Sequence, residues 1–557
     1  MSENPADLIL TGGTVHTVNP AQPKAAAVAV KGGRIIAVGS DADVRALAGT
    51  KTRELQLSGG MLLPGFQDSH AHPPAGGLER SLCDLTDLDD REAYLATIAA
   101  YSTAHPEVEW IRGGGWYMPV FPGGTPTKQD ADTVVPERPM FLTNRDGHGA
   151  WVNSNALRLA GIDRNTPDPV DGRIERDSSG EPTGTLHEGA MDLVVRLMPV
   201  FERSDLERGL LEGQRYLHSL GVTAWQDAIV GSEQWGNTQE IYTEAAKSGD
   251  LTARVVGALW WDSHRGEEQI DDLIEARSQG LAGNFNATSV KIMQDGVLEN
   301  GTGGMIEPYL DPCGVAGCGH DKDNRGLSFV DPEALKGYVS RLDAEGFQVH
   351  FHAIGDRAIR EALDALGVAR RANGPNDNRH HIAHVQVIHP DDLPRFAALD
   401  VVANCQPLWA TLDPQMVDLT MPFLGPERSA WQYPFESLRR SGARLAFGSD
   451  WSVSSPDPLL EMDVAVNRSE ADGDPDPWLP DERVPLESAI EAFTLGSAYV
   501  NHLDDVTGSI EAGKFADLVV LDRDLFDPDV ARLGEAHVVM TIVGGQIVYS
   551  SEELSGS

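Results

Sequence analysis

The stretch MLLPGFQDSHAH, Met61–His72, is an apolar run that ends in two histidines one residue apart. Side chains of an extended strand alternate between faces, so His70 and His72 project to the same side and can reach one point beyond the strand. In a chain with 17 histidines such a pair arises easily by chance, and alone it decides little. Its surroundings decide more. Seven further short apolar runs follow: GVTAWQD (221–227), RVVGALW (254–260), TSVKIMQDG (288–296), FQVHFHAIGD (347–356), RHHIAHV (379–385), VVANCQP (401–407) and RLAFGSD (444–450). Helical patterns such as DPEALKGYVSRLDAEG (331–346), DRAIREALDALGVARR (356–371) and LESAIEAFTLGSAYV (486–500) lie between or after them. Apolar runs alternating with helices are the mark of parallel strands covered on both faces, and eight of them close a (β/α)8 TIM barrel, an α/β fold.

The two ends of the chain read differently. DLILTGGTVHTV, AAAVAVKGGRIIAVG and RELQLSGG near the front, and GSIEAGKFADLVVLD and HVVMTIVGGQIVYS at the back, are short strands with glycine turns. Neither end is long enough to bury a core alone, so we expect residues 1–59 and 508–557 to form one small β-sandwich, with the barrel, 60–507, inserted between them. The gap between the first two barrel strands is too long for one helix. Residues 73–219 therefore contain an excursion, rich in Gly, Pro and Trp, of the kind that builds functional loops over a barrel mouth.

Composition narrows the function. With 85 acidic residues against 44 basic ones, the formal charge of −41 would repel a phosphate backbone and an anionic membrane, so nucleic acid and membrane partners are not expected. No run of eighteen apolar residues occurs, and MSENPADLILTGG lacks a basic segment leading into an apolar one, which points to a cytoplasmic chain. Four cysteines make no disulfide framework, and Cys313, Cys318 and His320 lack the spacing and fourth ligand of a zinc knuckle. GxSxG and Walker motifs are absent, which leaves serine-esterase and nucleotide-driven schemes unsupported.

Polar residues cluster where the expected strands end, the end at which barrel enzymes keep their active sites. His70 and His72 close the first strand, His350 and His352 the fifth, His380, His381 and His384 lie on the sixth, and Asp450 ends the eighth. Taken together, PGFQDSHAHP, HFHAIGD, RHHIAHVQ and FGSDW resemble the amidohydrolase superfamily, and within it the branch containing N-substituted formamide deformylases. The resemblance extends from GGRIIAVG to GSIEAGKFADLVVLD, nearly the whole chain.

That resemblance implies a ligand set. His70, His72 and Asp450 would hold a first metal, His352 and His384 a second, and Lys291 would be an N6-carboxylysine bridging the two. The chemistry suits the role, since an ammonium cannot bind a cation whereas a carbamate offers two oxygens. Unmodified, Lys291 would pair with Asp295 or Asp450, and the site would hold one metal. His350 is the reserve ligand, or a hydrogen-bond partner behind the ligands. Zinc is the expected ion, with manganese or ferrous iron as alternatives. A metal-activated hydroxide would attack a carbonyl, with Asp450 carrying the proton to the leaving nitrogen and His148 donating to the oxyanion.

The substrate is expected to be a small N-acyl amine such as an N-substituted formamide, bound by Trp116, Asp146, His148 and Glu188. Tyr117 and Trp151 are candidates for an apolar pocket wall, and Trp225, Trp260 and Trp261 for an aromatic mouth. Glu188 would meet an amine or an arginine. Ester, carbamate or lactone hydrolysis, heterocycle deamination and a decayed, non-catalytic binding protein are the alternatives. A homodimer is expected from the family.

Overall fold

The computed structural model describes residues 5–232, 236–310, 323–469, 476–530 and 532–551. Cys313, Cys318 and His320 lie outside the described residues. Eight parallel strands run in chain order around the barrel: Phe66–Ala71 (β1), Val222–Val230 (β2), Arg254–Trp260 (β3), Phe285–Met293 (β4), Gln348–Ala353 (β5), His381–His384 (β6), Val402–Cys405 (β7) and Leu445–Phe447 (β8). Almost every position in them is buried, which is why they read as unbroken apolar runs. The cylinder shuts between β1 and β8 just past their ends. There the Asp450 N–H donates to the His70 carbonyl at 2.7 Å, and the His72 N–H to the Trp451 carbonyl at 2.7 Å.

The outer helices follow from local sequence. Asp331 caps Pro332–Ala344 by accepting from the Glu333 and Ala334 amides, and proline at the first position forgoes only a hydrogen bond that no helix could make there. Asp356–Asn373 buries Ile359, Leu363 and Leu366, spaced three and four apart on one face.

The chain ends build two facing sheets. One holds Arg34–Gly39, Ala27–Lys31, Leu8–Thr11 and Arg53–Gln56; the other holds Gln546–Ser550, Val538–Val543, Leu518–Leu521, Met61–Pro64, Thr14–His16 and Lys24–Ala25. Met61–Pro64, read from sequence as the start of the first barrel strand, thus pairs with Leu518–Leu521 instead. Its sheet is covered on both sides: Leu62, Leu518 and Val520 join the sandwich core, while Met61, Leu63, Val519 and Leu521 join the barrel core. A sheet so covered carries the same apolar signature as a barrel strand.

Between Pro73–Glu79 and Arg203–Ser219 the excursion forms its own six-stranded sheet, from Cys83–Asp84 to Gly172–Arg176 and Pro182–Glu188. Arg203–Ser219 itself belongs to the barrel's helical ring and leads into β2. It packs on Pro73–Glu79 at closest range through glycines. A Cβ on Gly77 would stand 2.0 Å from the Gly209 carbonyl oxygen, and one on Gly213 would stand 2.4 Å from that of Pro73. The helix that follows His72 is therefore clamped in place. Among the described residues no helix is long and apolar enough to cross a membrane.

Candidate metal centre

The ends of β1, β4, β5, β6 and β8 bring His70, His72, Lys291, His352, His384 and Asp450 into one cavity wall. Asp450 Oδ1 lies 2.9 Å from His72 Nε2 and 3.2 Å from His70 Nε2, and Oδ2 lies 4.0 Å from His384 Nδ1. The ligand atoms of His70, His72 and Asp450 all fall within 4.8 Å of one another, the spacing a single cation needs. Lys291 Nζ is 3.3 Å from His70 Nε2, and Lys291 is 1 % exposed. Asp450, His384 and Glu188 hold positive φ angles of 55°, 76° and 51°, conformations that cost on the order of 1–3 kcal/mol for non-glycine residues and persist where packing imposes them.

Neighbouring groups set the protonation of this cluster. Burial pushes the His70 ring down to about 3 and holds His352 and His384 well below the ordinary imidazole value, so all three offer lone pairs at neutral pH. Burial likewise brings the Lys291 amine down to about 7. For Asp450 burial works the other way, yet its carboxyl stays well below the usual range, with His72 Nε2 at 2.9 Å as its hydrogen-bond donor. His352 Nδ1 faces Asp295 Oδ1 at 3.2 Å, and the Ile354, Gly355 and Gly304 amides donate to that carboxylate at 3.0, 2.9 and 2.8 Å. A carboxylate behind a histidine orients the ring and leaves its other nitrogen for a metal. Lys291 pairs with neither Asp295 nor Asp450 by a direct hydrogen bond; its close neighbour is His70.

Both ring nitrogens of His384 are buried and without a hydrogen-bond partner, as is Nδ1 of His72. Buried polar atoms are rarely left so. The His384 ring is held flat against Trp409, with centroids 5.3 Å apart and planes 11° apart. A divalent ion fits this donor set: neutral imidazoles, an ionised carboxylate and, on His384, ring nitrogens with no partner in the protein.

Two cavities meet at the centre, of about 1530 Å³ and about 450 Å³, and His148, Asp146, His352, His384 and Asp450 line both. His148 Nδ1 sits 2.9 Å from Glu188 Oε2; burial opposes its charge, but the Glu188 carboxylate prevails and raises the ring to about 9. Asp146 Oδ1 accepts from the His148 amide at 2.8 Å. Glu188 also accepts from Thr302 Oγ1 at 2.7 Å. Its protein partners are thus a histidine and a threonine, not the arginine that was one of the two expectations.

The aromatic expectations need correction. Trp116 is fully buried in the excursion's own core, its indole N–H donating to the Leu142 carbonyl at 2.8 Å, so it lines neither cavity. Trp151, Trp225 and Trp261 are also buried, whereas Trp260 does line the larger cavity. The wall of the smaller cavity comes from Tyr117, Trp409 and Tyr433, with Glu299 and Asp413 among them. Tyr117 donates to Asp413 Oδ2 at 2.5 Å. Trp409 and Tyr433 had no signal in strand-end spacing, since both lie outside the barrel strands, in the turn Pro407–Trp409 and just before the helix Phe435–Arg440.

Known proteins agree with this architecture. The chain is 33 % identical over 551 residues to Protein LONG AFTER FAR-RED 3 of Arabidopsis thaliana, covering 98 % of this chain and 92 % of that one. It is 29 % identical over 570 residues to the N-substituted formamide deformylase of Arthrobacter pascens, covering 98 % of each. Among solved structures, an uncharacterized metal-dependent hydrolase from Pyrococcus horikoshii OT3 superposes with a TM-score of 0.72 at 25 % identity, covering 95 % of this chain and 99 % of that one. The sequence pattern of the amidohydrolase family matches residues 53–549, and the chain belongs to that family.

Proposed function

We propose that the chain is a metal-dependent hydrolase of the C–N bond in a small N-acyl amine, with an N-substituted formamide as the first substrate to try. The observation that carries the reading is the convergence of neutral imidazoles and one ionised carboxylate at the meeting point of two cavities. The similarity to the formamide deformylase supports the substrate class.

His70, His72 and Asp450 would hold one ion, and His352 and His384 a second, with zinc favoured by the nitrogen-rich set. When bound, the metal supplies Lewis acidity, polarising a carbonyl and bringing the pKa of water from 15.7 towards about 7. Lys291 is the candidate bridge. With its pKa near 7, part of the amine is neutral and can add to carbon dioxide, releasing a proton and leaving a carbamate. Asp450 stays ionised, so an oxygen of its carboxylate can take a proton from the attacking water and pass it to the departing nitrogen. His148, charged through Glu188 at Nδ1, has Nε2 left to donate to the oxygen that gains charge as water adds to the carbonyl carbon. The C–N bond then breaks, giving a carboxylic acid and an amine.

The test is metal analysis together with formate release from N-substituted formamides, run beside matched esters and lactones. Asp450→Asn should keep the fold and lose on the order of 10²–10⁴ in turnover. Hydrolysis of esters alone would reassign the bond, and wild-type rates in the variant would remove Asp450 from the chemistry.

A further inference from the structure

Beneath the centre, five strands carry a chain of buried amide and imidazole groups whose polarity can be read from main-chain carbonyls. Gln348 Nε2 donates to the carbonyls of Arg379 at 2.8 Å and Val500 at 2.7 Å, which fixes its Oε1 as the acceptor facing Gln226. Gln226 Nε2 donates to that oxygen at 2.9 Å, so Gln226 Oε1 must point the other way. It receives two imidazoles, His350 Nδ1 at 2.7 Å and His381 Nε2 at 3.0 Å. An amide oxygen only accepts, so both of those nitrogens carry hydrogen.

A second anchor agrees. Asn404 Nδ2 donates to the Ser69 carbonyl at 2.9 Å and to His381 Nδ1 at 3.1 Å, making that nitrogen the bare one and Nε2 the protonated one. His381, bare at Nδ1, is neutral, and His350 is fully buried with only Gln226 Oε1 and His70 Nδ1 at its ring nitrogens, so no carboxylate is there to hold a charged ring. His350, protonated at Nδ1, then has a lone pair at Nε2, and this atom lies 2.8 Å from His70 Nδ1. His70 must be the donor there, which leaves its Nε2 bare and aimed at Asp450 and Lys291.

We infer that Gln226 is a positioning residue: through His350 it holds His70 in the Nδ1–H tautomer and presents the Nε2 lone pair for metal binding. His350 is therefore a relay and not a reserve ligand. The inference rests on the metal-site reading above, but its first consequence can be observed without metal.

In metal-free wild-type protein labelled with ¹⁵N-histidine, long-range ¹⁵N–¹H correlation should show His70 and His350 as Nδ1–H and His381 as Nε2–H, each resonance assigned by its loss in a single His→Asn variant. His350 found as Nε2–H would overturn the proposal whatever the protein does with metal. Gln226→Met, which removes the acceptor, should weaken zinc binding 10–100-fold in competition with a chromogenic chelator. Folded Gln226→Met with unchanged zinc affinity would also overturn it. A wild-type protein that binds no zinc would sink the metal-site reading and leave the tautomer result standing by itself.

Discussion

Replacing Glu188 with glutamine tests how His148 is kept charged. The two side chains are 14 % and 7 % exposed, and the ring stands at about 9 against an ordinary 6.5. That difference of about 2.5 units corresponds to about 3 kcal/mol at 1.36 kcal/mol per unit. Because the folded-state pKa is the higher one, the stabilisation is complete below about pH 6.5 and is lost as pH rises through about 9. Glutamine preserves the shape and an oxygen for Thr302 but removes the charge. Burial, the largest influence on the ring, is then opposed only by the weaker pull of Asp146 and Asp450, and the ring should titrate below 6.5. Urea unfolding at about pH 6 and about pH 10 should show the wild type losing about 3 kcal/mol more than the variant across that interval. In kcat/KM the alkaline limb near pH 9 should move below pH 6.5, so that at about pH 7.5 the variant is at least about tenfold slower. Coincident alkaline limbs in two folded proteins would refute the claim that Glu188 sets the charge of His148.

Three further outcomes follow from the geometry. Tyr117→Phe leaves the Asp413 carboxylate without its 2.5 Å donor in the smaller cavity, and should cost about 1–3 kcal/mol in thermal unfolding while altering KM more than kcat. Gly77→Ala sets a methyl group against the Gly209 carbonyl, and should lower the melting temperature and the metal content together, because the displaced helix begins at His72. Stripping metal with a chelator should lower the melting temperature, and free zinc at a hundredfold over its dissociation constant should restore about 2.7 kcal/mol; an unchanged melting curve would contradict a structural hold by the ion.

The barrel was legible in the sequence because parallel strands buried on both faces announce themselves as apolar runs, and their polar ends stand out against that background. The histidines at 70 and 72 were legible because period-two geometry puts them on one face. Met61–Pro64 misled for the same physical reason: a sheet wedged between two cores looks like a barrel strand. Trp116 misled because one residue of register decides which way a side chain faces; its neighbour Tyr117 reaches the cavity, while Trp116 turns into the excursion. Gln226 and Trp409 could not be found in sequence. Their roles depend on which strand faces β5 and β6 across the barrel interior and which loop lies against His384, and no spacing along the chain encodes that.

The seam between β1 and β8 joins residues nearly four hundred positions apart, and Asp450 meets His70 and His72 across it. During synthesis, therefore, the first two histidines leave the ribosome long before the carboxylate that completes their set. A nascent or truncated chain can present an incomplete claw, so capture of the ion shared by His70, His72 and Asp450 reports the last act of assembly. Premature termination anywhere before the eighth strand should give a protein that is inert toward the ion's chemistry, however much of the cylinder has formed.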